Sequence, residues 1–245
     1  MQLPPAIRPG DTIGLITPAG PVMNHLHVQE GIALLERAGY QVKITADLSC
    51  RDGYLAGTDQ QRAKQFASVW QDPEISGVLA VRGGYGSLRL LPFLDLEMIR
   101  KNPKPLVGFS DITVLLNVIS RETGMVTFHG PMLNTLSRSD AQSASAFFEA
   151  LEGTCIYPAA VPEVQILAKG NCTGQLIGGN LASLVHLLGT PYDFPWEGAV
   201  LFIEDTGEPL YRIDRMLTHL HAAGKFAKLS GLILGTFTDN DNKEV

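Results

Sequence analysis

The feature that most constrains the fold is a regular alternation of short apolar runs with helical patterns between residues 12 and 129. In the helical segments the apolar residues recur at i, i+3, i+4 and i+7. The predicted strands are IGLIT, GYQVKIT, SGVLAV, PLVGF and MVTFH, and the predicted helices are VQEGIALLERAG, DQQRAKQFASVWQ and DITVLLNVISRETG. Such alternation predicts right-handed βαβ units, and therefore an α/β fold with a doubly wound, mostly parallel sheet.

The pattern changes after a predicted helix around Ala144 to Leu151. Residues 153–170 contain two prolines and show weak periodicity, which is typical of a crossover between domains. Beyond them CTGQLIGG is predicted as a strand and turn, and AVLFIED and GLILGTF are predicted as strands. The predicted helices are NLASLVHLLG and LYRIDRMLTHLHAAG. We predict an N-terminal domain over 1–152, a linker over 153–172 and a second, smaller α/β domain over 173–245. We expect this domain to be incomplete at its C-terminus, because DNDNKEV is typical of the start of a loop.

Composition excludes several classes of protein. The 245 residues carry a net charge of −6, which leaves no basic surface for nucleic acid. No stretch reaches the roughly 18 consecutive apolar residues of a membrane helix. Arg8 and Asp11 lie where a signal peptide needs an apolar core, so we expect a cytoplasmic protein.

The sequence shows no ligand set for a metal or a disulfide framework. Cys50, Cys155 and Cys172 are widely spaced and form no CxxC pair, so we expect free, buried thiols. The six histidines form no HExxH or comparable pattern. We therefore expect neither a metal nor a cofactor.

A serine lies where a buried strand gives way to an amphipathic helix, in KPLVGFSDITVLLNVI. Ser110 at this turn would project its hydroxyl from the edge of the sheet. The amide of Asp111, in the first helical turn, has no acceptor within the helix and can bind an oxyanion. The alternative is that Ser110 is the N-cap of the helix. The GxSxG pattern of α/β-hydrolases is not met, because Ile112 stands in place of the second glycine.

A glycine-rich segment follows another predicted strand, in VLAVRGGYGS. Gly83, Gly84 and Gly86 surround Tyr85 and allow the backbone to turn its amides toward a ligand. The segment matches neither the P-loop nor the dinucleotide-binding pattern. In a parallel sheet this loop and the Ser110 turn open at the same carboxyl edge, where ligands bind.

A carboxylate ends the apolar run AVLFIE. Glu204 lies just past buried residues, where it could accept the N–H of a histidine and orient the ring. The alternative is an acidic loop in which Asp205 and Glu208 favour the N-terminus of the helix that begins near Pro209.

Five separated segments resemble one known family, and they occur in its order: AVRGGYGSLRLL, GFSD, TFHGPM, GQLIGGNLASLVHLLGTP and LFIEDTGEPLYRIDRML. The chain is similar to the L,D-carboxypeptidases and the microcin-immunity peptidases, which are serine peptidases. The resemblance extends from Arg8 to about Phe237. It implies a flavodoxin-like N-terminal domain, a smaller C-terminal domain, a site between them and a homodimer.

The resemblance also implies roles for particular residues. Ser110 would be the nucleophile and Glu204 the acid of the triad. The oxyanion donors would be the amides of Asp111 and Gly84.

The Gly-rich loop would also bind the substrate, through Arg82, Gly83 and Tyr85. Arg82 is the candidate for the terminal carboxylate of the substrate, and the alternative is an exposed or structural arginine. The implied substrate is the murein tetrapeptide, which loses its terminal D-alanine during cell-wall recycling in the cytoplasm.

The triad histidine departs from the family pattern. The family carries it in a Gly-flanked turn beyond the strand that corresponds to GLILGTF, so we expect it beyond Val245 and expect this chain to be nearly inactive by itself. His129 lies in a segment that the family does not use for the base, and we expect it to have a structural role. His186, His219 and His221 lie on predicted helices.

Two other functions stay open at this point. One is a microcin-immunity-like peptidase that acts on acyl-sulfamoyl nucleotide antibiotics through the same triad. The other is a non-catalytic, flavodoxin-like nucleotide-binding protein, although no basic residue adjoins Ser110.

Overall fold

A computed structural model describes residues 1–45, 47–154 and 164–238. The chain divides into two compact units, unit 1 over Met1–Gly153 and unit 2 over Thr154–Val245. Cys155, most of the first half of the predicted linker and the segment DNDNKEV lie outside the described residues.

Unit 1 is built on a five-stranded parallel sheet in the order β2-β1-β3-β4-β5. The strands are β1 Thr12–Ile16, β2 Gln41–Ile44, β3 Ile75–Ala80, β4 Leu106–Gly108 and β5 Phe128–His129. The chain moves outward in one direction from β1 to β2 and in the other from β3 to β5. The strand order therefore reverses between β1 and β3, and such a switch point leaves a crevice at the carboxyl edge of the sheet.

The longer helices of unit 1 agree with the sequence pattern. They are α1 His25–Arg37, α2 Asp59–Gln71, α5 Thr113–Thr123 and α7 Ala141–Leu151. Thr58 and Gln61 form a capping box at the start of α2, and Gly124 ends α5 in the left-handed conformation. Three shorter helices were not predicted, because they span one or two turns and show no period: α3 Ser87–Leu90, α4 Leu96–Lys101 and α6 Leu133–Leu136.

The two faces of the sheet are covered by different helices. Ile13 and Leu15 of β1 belong to a core cluster that includes buried residues of α1, α6 and α7. Gly14, between them, faces α2, where a Cβ would lie 2.6 Å from Cγ1 of Val69. Successive residues of β1 thus point to opposite faces, and the prediction of a doubly wound sheet is confirmed.

One predicted strand is much shorter than expected. MVTFH forms only the two residues of β5, which pair with Val107 and Gly108. Met125 pairs instead with Gln2 in an isolated bridge. The competing contact with the N-terminus shortens this edge strand.

Unit 2 contains a three-stranded parallel sheet in the order β6-β7-β8. Its strands are β6 Leu176–Asn180, β7 Val200–Thr206 and β8 Gly231–Thr238, and its helices are α8 Leu181–Val185 and α9 Leu210–Ala222. The prediction of a strand from Cys172 is wrong at its start, because β6 begins at Leu176. The expectation of buried thiols is also wrong for two cysteines: Cys172 is exposed in the irregular segment before β6, and Cys50 is only half-buried in a loop.

No helix among the described residues combines the length and apolar character needed to cross a bilayer.

Candidate active site

Ser110 has an unusual backbone conformation at the end of β4. Its φ is 60°, and among the described residues it is the only non-glycine residue with a positive φ. A side chain in this region costs roughly 1–2 kcal/mol, so the surrounding structure must hold it there. The residues that follow form a short 3-10 turn over Ser110–Ile112, and α5 then begins at Thr113 with Ile112 as its N-cap. The alternative that Ser110 is the N-cap of the helix is therefore wrong.

Packing behind the serine explains the departure from GxSxG. A Cβ at position 108 would lie 2.7 Å from Cγ2 of Ile112, so only glycine fits two residues before the serine. Ile112 itself is fully buried. The sharp turn is built from a glycine on one side of Ser110 and a buried isoleucine on the other.

Gly83 of the glycine-rich loop lies directly against the serine. A Cβ at position 83 would lie 3.1 Å from Oγ of Ser110 and 3.5 Å from the amide nitrogen of Asp111. The glycine therefore leaves open a space that is close to both the Ser110 hydroxyl and the backbone N–H of Asp111. The structure brings Gly83 of the predicted substrate-binding loop together with Ser110 and Asp111.

The neighbouring peptide group is held by hydrogen bonds. The carbonyl oxygen of Gly83 accepts from the amide of Gly20 at 3.1 Å and from Nε of Arg82 at 3.2 Å. Since this peptide is trans, the N–H of Gly84 points away from Gly20. Gly84 itself packs on the backbone of Gly20, so Gly83 is the glycine whose Cα faces Ser110.

The Asp111 carboxylate connects the serine turn to the glycine-rich loop, a role that the sequence did not indicate. Its Oδ2 accepts from the amide of Ser87 at 2.8 Å, at the start of α3. Burial raises the pKa of this carboxyl, while hydrogen bonds from Ser87 and Gly86 and the charge of Arg62 oppose the shift. The residue after the serine thus offers its amide to the site and its side chain to the loop.

A buried arginine fixes the other end of the loop. Arg62 of α2 is 1% exposed and donates to the carbonyls of Gly86 at 3.0 Å, Gly57 at 3.2 Å and Pro18. It also pairs with Asp59. One guanidinium therefore holds the loops that follow β1, β2 and β3. The available sequence signal was that Arg62 lies on the apolar stripe of α2, where a charge needs buried partners.

The other predicted loop residues line a cavity at the switch point. Arg82 donates from Nη1 to the carbonyl of Pro21 at 3.0 Å, in addition to its bond to Gly83. Tyr85 is half exposed, and its ring meets that of Tyr54 edge to face at 5.6 Å between centroids. Arg82 and Tyr85 therefore adjoin the Ser110 turn through the backbone of the loop.

His129 lies beside the serine turn. It pairs with Gly108 across β4 and β5, and its ring meets that of Phe109 at 6.1 Å between centroids. Desolvation by the surrounding protein lowers the pKa of His129 to about 4, although part of the residue stays accessible to solvent. The imidazole is therefore neutral at pH 7, and it packs against the residue that precedes Ser110.

Glu204 lies near the carboxyl end of β7 in unit 2. It pairs with Asn180 of β6, and the register toward β8 shifts between Ile203 and Asp205. Such irregularities redirect side chains and are common beside active sites. Burial, together with the charge of Asp205, raises the pKa of Glu204 to about 7. Gly235 of β8 leaves room for this side chain, since a Cβ there would lie 3.1 Å from that of Glu204.

Asp205 does not serve the helix that the sequence suggested. It is 3% exposed, and its Oδ2 accepts from the amide of Ala182 at 2.9 Å, at the start of α8. The helix α9 begins at Leu210 with Pro209 as its N-cap and has no acidic residue in its first turn. The two carboxylates alternate along β7, so Asp205 stabilises a helix while Glu204 points to the other face of the sheet.

Comparison with known proteins now decides the family. Residues 13–130 match the LD-carboxypeptidase N-terminal domain, and residues 173–245 match the LD-carboxypeptidase C-terminal domain. A "Probable murein peptide carboxypeptidase" of Bacillus subtilis is 39% identical over 240 residues, which cover 96% of this chain and 74% of the relative. The chain belongs to the LD-carboxypeptidase family. The predicted family is thus confirmed, and membership makes the chain a hydrolase of the carboxypeptidase type.

Two further relatives are similar to this chain, one in sequence and one in fold. A "Murein tetrapeptide carboxypeptidase" of Pseudomonas aeruginosa is 34% identical, covering 95% of this chain and 78% of the relative. A solved structure, "MccF in complex with glutamyl sulfamoyl guanosine", has a TM-score of 0.86 at 28% identity, covering 99% of this chain and 83% of that chain. The predicted α/β fold class is confirmed.

No metal-binding group is found in the described part of this LD-carboxypeptidase, where no three His, Cys, Asp or Glu side chains could together hold an ion.

Proposed function

We propose that this LD-carboxypeptidase releases the terminal D-alanine of murein tetrapeptide, with Ser110 as the nucleophile. The observation that carries the proposal is the φ of 60° at Ser110, held against Gly83 at the carboxyl edge of the sheet. Backbone strain of this kind persists where function needs it. The names of the Bacillus and Pseudomonas relatives supply the murein substrate.

The proposed reaction is acyl transfer to the serine. Oγ of Ser110 attacks the carbonyl that precedes D-alanine, while a histidine oriented by Glu204 removes the hydroxyl proton and passes it to the leaving amine. The amides of Asp111 and Gly84 bind the oxyanion, and each such donor contributes on the order of 3–4 kcal/mol to lowering the barrier. Water then attacks the acyl-enzyme and frees the serine. Arg82, Gly83 and Tyr85 contact the substrate.

The setting of the reaction follows from the same proposal. A peptidase that trims murein tetrapeptide recovered from the wall acts in peptidoglycan recycling, in the cytoplasm. We also propose that the protein acts as a homodimer.

The test is D-alanine release from L-Ala-γ-D-Glu-meso-diaminopimelyl-D-Ala by the native protein isolated from its own organism. Ser110→Ala should lower kcat on the order of 10⁶-fold, the loss measured for a serine nucleophile in a comparable triad. Ser145→Ala, at an exposed helical position of unit 1, is the control and should keep its rate. Equal rates for Ser110→Ala and the original protein would disprove the assigned nucleophile.

A second candidate is a microcin-immunity-like peptidase. It is favoured by the likeness to the MccF complex with glutamyl sulfamoyl guanosine. Hydrolysis of a glutamyl sulfamoyl nucleoside and of the tetrapeptide, measured side by side as kcat/KM, separates the two functions. Faster cleavage of the nucleoside compound would favour immunity.

The flavodoxin-like nucleotide-binding function has less support. A phosphate site at the start of α1 would need free amides, but Oδ1 of Asn24 already accepts from the amides of Leu26 at 3.0 Å and His27 at 3.4 Å. A thermal shift with AMP, GMP and FMN tests this function. No change in the unfolding temperature is expected.

A further inference from the structure

A cavity of about 600 Å³ lies at the switch point of the sheet in unit 1. The loop after β1 contributes Gly20, Pro21 and Met23, the loop after β2 contributes Arg51 and Tyr54, and the loop after β3 contributes Arg82, Gly84 and Tyr85. Gly84 is the residue after Gly83, which lies against Ser110. The cavity therefore begins about one residue, or roughly 4 Å, from the glycine that faces the nucleophile.

Two arginines give the cavity its charge. Nε of Arg51 donates to the carbonyl of Gly53 at 2.9 Å, and Arg82 donates from Nε and Nη1 to two carbonyls. Within the described ranges neither guanidinium has a carboxylate within the 4.0 Å of a salt bridge. Both Nη atoms of Arg51 and Nη2 of Arg82 remain as donors. Two cations that share a wall without an acidic partner favour an anionic ligand.

The chemistry of the cavity favours a carboxylate over a phosphate. At the starts of α1 and α3, amides that could bind phosphate already have acceptors, since Asn24 caps α1 and Asp111 accepts from the amide of Ser87. The remaining walls include Met23, Pro21 and the rings of Tyr54 and Tyr85. Apolar walls with a few charged donors suit a small peptide residue that ends in a carboxylate.

We infer that Arg51 and Arg82 bind the C-terminal carboxylate of the substrate, with the terminal side chain against the two tyrosines. This inference rests on the proposed function. In a peptide the terminal carboxylate lies one residue beyond the scissile carbonyl, a span of about 4 Å, which matches the step from Gly83 to Gly84. The site would make the enzyme a carboxypeptidase, because an internal peptide bond offers no such charge.

The test combines enzyme variants with paired substrates. The tetrapeptide and its C-terminal amide are compared on the original protein and on Arg51→Ala, with Arg37→Ala as a control that removes an exposed arginine at the far end of α1. Arg51→Ala should raise KM for the free carboxylate by about 10-fold or more and leave kcat nearly unchanged. On the original protein the amide should have a KM higher than that of the free carboxylate by the same factor. Arg51→Ala should not raise the KM of the amide further. Arg37→Ala should change neither substrate.

Several results would overturn the inference. One is that Arg51→Ala changes KM equally for both peptides, or for neither. Another is that KM on Arg51→Ala responds to amidation of the glutamyl α-carboxylate and not to amidation of the C-terminus. Binding of AMP or inorganic phosphate that Arg51→Ala abolishes would assign the arginines to phosphate.

A binding experiment separates this inference from the proposed function. Calorimetry on Ser110→Ala measures the affinity for the tetrapeptide and its amide without any turnover. If no peptide is hydrolysed, the proposed function fails. The site is still supported if the affinity for the tetrapeptide falls both when Arg51 is replaced and when the terminal carboxylate is amidated. If hydrolysis occurs and the affinity is insensitive to Arg51, only the inference fails.

Discussion

The Ser110 turn of unit 1 and the Glu204 strand of unit 2 place their side chains by different physical means. Ser110 is placed by its backbone, which has a φ of 60°. Position 108 beside it must be glycine because Ile112 leaves no room for a Cβ, and Asp111 and Arg62 hold the neighbouring loop. Glu204 lies in a strand at a register shift, and its surroundings favour the protonated form by raising the pKa to about 7. In the proposed reaction Ser110 needs a fixed direction for attack, whereas Glu204 must accept the N–H of a histidine, which its ionised form does best.

Filling the space beside the serine is the strongest test of placement by the backbone. Gly83→Ala adds a methyl group whose carbon would lie 3.1 Å from Oγ of Ser110. Because the φ of Gly83 lies outside the left-handed region, alanine can be accommodated there, and the expected loss is in kcat, by roughly 10²–10³-fold. Gly130→Ala is the control, since its Cβ would make only an ordinary contact of 3.4 Å with Val107. Equal rates for the two variants would mean that the space beside Gly83 is not used.

Removing the buried cation tests how the loops of unit 1 are held. Arg62→Met removes the arginine donor of three backbone carbonyls and one of the two arginines that pair with Asp59, so the free energy of unfolding should fall by about 3 kcal/mol. Arg89→Met removes an exposed partner of the same Asp59 and should cost no more than about 1 kcal/mol. Urea unfolding measures both values. Similar losses would show that the burial of Arg62 adds nothing.

The pH dependence of stability tests the Glu204 side of the comparison. Folding raises the pKa of Glu204 from 4.5 to about 7, so between these values the folded protein keeps a proton that the unfolded chain has released. Stability should therefore fall as the pH rises through this window. With partial solvent exposure taken into account, Glu204→Gln should be more stable than the original protein by about 1–2 kcal/mol above pH 7.

The same variant should show no such advantage near pH 4, where the carboxyl is protonated in both states. Glu197→Gln, which replaces an exposed carboxylate of unit 2 paired with Lys228, should follow the original protein across the range. Urea unfolding at several pH values measures the differences. A constant difference for Glu204→Gln would contradict the raised pKa.

The smallest expected effect concerns the strain at Ser110 itself. Glycine tolerates a φ of 60° better than alanine, so Ser110→Gly should unfold with a free energy about 1 kcal/mol above that of Ser110→Ala. At Ser145, within α7, the same pair should differ in the opposite direction by about 1 kcal/mol. The reversal of sign is the expected observation, and thermal or urea unfolding of the four variants detects it.

Much of the local structure was predictable because it depends on neighbouring residues. The helix over Asp59–Gln71 has the predicted bounds, and the turn at Ser110 follows from a buried run that meets a helical stripe. The contacts of Arg62 with Pro18 and Gly86, and of Asp111 with Ser87, were not predictable in the same way, because these partners lie 24 residues or more away in the chain. For Arg62 the sequence carried a partial signal, a charge on an apolar stripe.

The sequence by itself determined the α/β class, the longer helices and the approximate positions of the strands, since period, glycine and apolar runs act over a few residues. It also proposed the serine, the glycines and the glutamate as site residues. Only the tertiary structure decided that Gly83 lies against Ser110, that Asp205 stabilises α8 and not α9, and that Arg51 shares a cavity with Arg82. The reason is physical: these contacts depend on the register of strands and on the loops that the parallel sheet brings to one edge, and no local pattern encodes those distances.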